Sequence, residues 1–126
     1  MKLSNNKILN DAKRLGEISQ RQLPVKVSYA IAKNLSKIEA ELNIYNKEKQ
    51  KLIDQYGKRD ENGQIEVDEA EHVIFPVENL VNWNKSIREL LDIENEVDIH
   101  KFSIKELEGF SMSPLELRVI DYMIEE

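Results

Sequence analysis

The chain has no cysteine in its 126 residues. Disulfides, thiolate nucleophiles and cysteine-ligated metals are therefore excluded. With only four Gly and three Pro, it is poorly equipped for the many turns of an all-β fold. Gly16, Gly57, Gly63 and Gly109 each stand alone, so there is no glycine-rich phosphate loop. There is also no Gly-x-Ser-x-Gly nucleophile elbow. Aromatics are few at 6%. No apolar run approaches the roughly 18 residues of a membrane span, and the opening MKLSNNKILND lacks the apolar core of a signal peptide.

Charge is plentiful at 33% of residues, and its distribution says more than the net value of −6. Residues 1–60 hold 13 Lys or Arg against 7 Asp or Glu, a net +6, and residues 61–126 hold 5 against 17, a net −12. A basic front and an acidic back can pair within one chain or between copies, and pairing within the chain is the expectation. The acidic half argues against a nucleic-acid binder that wraps a duplex, because phosphates are repelled there. The length suits one domain, large enough to bury roughly two-thirds of its unfolded surface.

The strongest pattern is a heptad stripe. Ile31, Leu35, Ile38, Leu42, Tyr45, Lys49, Leu52 and Tyr56 recur at alternating spacings of four and three. The stripe predicts one helix from about Val25 to Tyr56, roughly 45–50 Å long at 1.5 Å per residue. A helix of that length needs a partner along it: another helix of the chain, a second copy, or a different protein. Lys49 is the one polar member, either a register device or the point where the stripe leaves its partner.

Other elements follow from local signals. Ser4, Asn5 and Asn6 offer N-caps for a first helix over 4–22, with Ile8, Ala12, Leu15 and Ile18 on one side. Pro24 marks the corner into the long helix. Gly57 is expected to close that helix in a left-handed C-cap. Asn62-Gly63 marks a turn. Short strands are expected around Ile65 and Val67, at Val73–Phe75 and over 96–100. A third helix spans 77–94. Ser103–Glu106 has capping-box spacing and opens a short turn closed by Gly109, and Ser113–Glu116 repeats the spacing before a last helix over 114–125. No internal repeat or linker is evident.

The fold class predicted is mainly α. A long helical hairpin (1–57) carries an acidic part (58–126) with two or three short strands, the whole forming a single domain. An all-α protein with loops at 64–75 and 97–100 is the alternative.

Candidate chemistry is thin. His72 and His100, 28 residues apart, could join Glu69, Glu71 and Asp98 in a two-histidine, carboxylate metal site, but the spacing matches no compact motif, and surface histidines are the simpler reading. Carboxylates are so dense between 61 and 98 that any apparent acid/base pair carries little information. Lys47, Lys49 and Lys51 read as the solvated end of a helix, and Trp83 as core packing beside Leu80 and Ile87. Neither a catalytic set nor a cofactor is expected.

MKLSNNKILN, LPVKVSYAIAKNLSKIEAEL, EVDIHKFSIKELEG and SPLELRVIDYMIEE together resemble small uncharacterised proteins encoded by phages and prophages of Gram-positive bacteria. That resemblance spans nearly the whole chain and carries no catalytic residues. It implies residence in the cytoplasm of a bacterial host. The expected function is a non-enzymatic interaction factor that binds, and inhibits or redirects, a host or antiviral-defence protein. Two surfaces are candidates: the stripe Ile31, Leu35, Ile38, Leu42 and Tyr45, and the acidic group Glu66, Asp68, Glu69 and Glu71. An oligomeric assembly protein, dimeric or higher, is the alternative, and a small-ligand binder the third.

Overall fold

The computed structural model describes residues 1–125. In chain order the elements are β1 (Lys2–Ser4), α1 (Asn5–Ser19), α2 (Val25–Tyr56), α3 (Val77–Asp92), β2 (Glu94–Glu96), β3 (Phe102–Ser103), a 3₁₀ turn (Ile104–Leu107), α4 (Pro114–Ile120), a second 3₁₀ turn (Asp121–Met123) and β4 (Ile124–Glu125). The fold is mainly helical with a few short strands in two small sheets. It divides into two compact units, one of residues 1–42 with the segment from 94 onward, and one of residues 43–93. The first boundary falls inside α2.

The first unit holds the core. Leu3, Ile8, Leu15 and Ile18 are buried with Val27, Ala30, Ile31 and Ile38 of α2 and with Val97, Phe102, Val119, Ile120 and Met123. β1 pairs antiparallel with β2, Leu3 opposite Asn95, and β3 pairs parallel with β4. Ser4 caps α1 by accepting from the Lys7 N–H at 3.1 Å, and α4 carries the full capping box between Ser113 and Glu116. Hydrogen bonds from the Ser113 N–H and from Arg21 hold the Glu116 carboxyl below its ordinary range. α1 stops at Ser19, short of the expected residue 22. The last helix ends at Ile120, not at residue 125, because the chain tightens to bury Met123 and then extends to reach β3. Ser103 does not form a capping box either. Its Oγ accepts from the Lys105 N–H, while Glu106 lies 3.7 Å from Lys26.

Charges from the basic front meet those of the acidic back inside this unit. Arg21 pairs with Glu116 at 2.9 Å, Lys26 with Glu106 at 3.7 Å and Lys37 with Asp98 at 3.8 Å.

The second unit holds the end of α2 and α3, with a tight loop structure between them. Lys58, Glu66 and Ile74 form a closed ring of backbone hydrogen bonds, each N–H donating to the next carbonyl at 2.8–3.0 Å. Between these corners lie two equivalent turns. Asp60 Oδ1 accepts from the N–H groups of Asn62 and Gln64, and Asp68 Oδ1 from those of Ala70 and His72. The fourth residue of each turn has positive φ, Gly63 at 79° and Glu71 at 63°. An eight-residue repeat is therefore present, contrary to the sequence expectation; only the Asp-Glu pair and one β-branched residue are common to both copies. The strands expected here are reduced to single bridges, Arg59 with Ile65 and Val67 with Val73.

Gly57 is not a left-handed cap. Its φ is not positive, and its N–H continues the helix by donating to the Ile53 carbonyl. Glycine is required because a Cβ would stand 2.7 Å from that carbonyl oxygen and 3.0 Å from Ile65 Cδ1. Beyond the loops, Asn79 Nδ2 donates to the Tyr56 carbonyl at 2.9 Å, tying the start of α3 to the end of α2. Phe75 stacks on Trp83 with ring centroids 4.3 Å apart.

Candidate interaction surface

A concavity of the first unit lies beside the start of α2. Pro24 sets that start. Its ring disfavours helix at Leu23, while its carbonyl accepts from the Ser28 N–H at 2.9 Å. One turn apart on the helix, Val25 and Tyr29 lie off the buried stripe and stay 83% and 58% exposed. The opposite wall is the segment leading into β3. It is fixed by Asn34, a fully buried α2 residue whose amide holds both backbone groups of His100, with bonds of 2.8 and 2.7 Å.

So anchored, His100 meets Tyr29 edge-to-face at 5.4 Å. Lys33 Nζ lies 5.6 Å from the Tyr29 ring centroid, within cation–π range. Phe102 contributes to the floor, and the β3–β4 pair brings Glu125 to the groove. The result is a groove of about 520 Å³ combining exposed apolar and aromatic surface with charges of both signs, Lys26 and Lys101 against Glu106 and Glu125. Such a surface is chemically suited to hold a side chain or short segment of another molecule.

The residues singled out from sequence are distributed differently. Ile31 and Ile38 are buried in the core of the first unit, with Leu35 and Leu42 packed against it, so their partners lie within the chain. Tyr45 is buried in the second unit, and burial raises its hydroxyl pKa. The acidic group gathers around one turn. Glu66 pairs with Lys58 at 3.2 Å, Asp68 caps the turn, and Glu69 and Glu71 are exposed. His72 stands 3.8 Å from Asp68 in the second unit, whereas His100 belongs to the groove of the first unit. Among the described residues no three of His, Asp or Glu converge to hold a metal ion. No helix of the described residues is long and apolar enough to cross a membrane.

The groove itself was missed. Its only sequence signal was the pair Val25 and Tyr29, an apolar and an aromatic residue at helical spacing off the heptad stripe. Comparison with known proteins finds no matching family model, no matching curated protein and no matching solved structure.

Proposed function

We propose that this chain is a non-enzymatic protein-interaction factor that recognises its partner through the groove beside the start of α2. The observation that carries this reading is the exposure of Tyr29 at the mouth of a concave site whose opposite wall is held rigid by Asn34. An exposed tyrosine in a preformed groove supplies large contact area at small entropic cost, as interface anchors do. In keeping with the resemblance to phage and prophage proteins, the proposed partner is a host or antiviral-defence protein of a Gram-positive bacterium.

Affinity purification of the tagged chain from such a lysate, run beside the variants Tyr29→Ala and Val25→Ser, tests the reading. Both side chains are exposed, so the variants keep the fold. One stoichiometric protein captured by the wild type and lost from Tyr29→Ala supports the groove. Recovery of the bait alone, or a partner held equally by all three, contradicts it.

A further inference from the structure

We draw no further inference here: the strongest candidate, the apolar hollow of about 300 Å³ beside the 3₁₀ turn Ile104–Leu107, lined by Ile104, Leu107, Phe110, Met112 and Leu117, carries nothing because nothing in the structure shows what covers it.

Discussion

Asn34 and His100, 66 residues apart in sequence, are joined by two hydrogen bonds: Asn34 Nδ2 donates to the His100 carbonyl at 2.8 Å, and the His100 N–H donates to Asn34 Oδ1 at 2.7 Å. A side-chain amide thus does for one residue of an irregular segment what a neighbouring strand would do. It satisfies polar groups that burial would otherwise leave unpaired, and it sets where the groove wall stands.

Replacing Asn34 with Ala therefore leaves two backbone groups without partners as well as a void. The expected loss is about 2–4 kcal/mol of unfolding free energy. Asn34→Asp is expected to retain the bond from the His100 N–H, lose the one to the carbonyl and bury a charge, so it too destabilises. Urea denaturation of the two variants checks both. A loss below about 0.5 kcal/mol in each would show that the clamp carries no stability.

Two glycines, one inside α1 and one just past the end of α2, are predicted to respond oppositely to alanine. Gly16 lies inside α1 with nothing within 4 Å of where a Cβ would stand, so Gly16→Ala should stabilise by about 0.5–1 kcal/mol through helix propensity. Gly57→Ala drives a Cβ against the Ile53 carbonyl and Ile65 and should destabilise the second unit. Thermal unfolding of the pair, read by circular dichroism, separates the two effects by sign.

The repeated turns make a third prediction. Glu71 adopts a left-handed backbone, φ 63°, where the matching position of the first turn has Gly63. Glu71→Gly should raise stability by about 0.5 kcal/mol, and Gly63→Ala should lower it by about 1 kcal/mol. Denaturation midpoints of the two variants moving in the same direction would refute the equivalence of the turns.

Tyr122 supplies a pH signature. Burial, reinforced by the nearby carboxylates of Asp11 and Asp121, pushes its hydroxyl up from 10.0 to about 12. The folded state thus holds this proton more tightly than the unfolded chain. The associated stability is complete below pH 10, where both states are protonated, and is lost as pH rises through 12. Stability of Tyr122→Phe should be less sensitive to pH over that interval. Ultraviolet titration of the folded protein should show Tyr122 ionising above the ordinary tyrosine range, identified by the loss of that step in Tyr122→Phe.

Helix beginnings were legible in the sequence because caps are local. Ser4, Pro24 and the Ser113–Glu116 box act within a few residues of where they stand. The heptad stripe also marked the extent of α2, since an apolar period of 3.5 residues held from Ile31 to Tyr56 matches a helix and not a strand. The strands were not legible. Leu3 is extended because Asn95 lies opposite it, and neither three-residue segment has a period of its own. The segment 97–100 alternates as a strand would, yet it forms none, because Asn34 takes the backbone groups of His100. The groove was hidden for the same reason. Tyr29 belongs to a helix that was foreseen, but the wall facing it comes from the far end of the chain.

Hydrogen exchange of the protein with and without its captured partner tests the central claim most directly. The account predicts that binding slows exchange in the first turns of α2 and in the segment from His100 to Glu106, the two walls of the groove. Protection confined to other segments, with both walls unchanged, would contradict it.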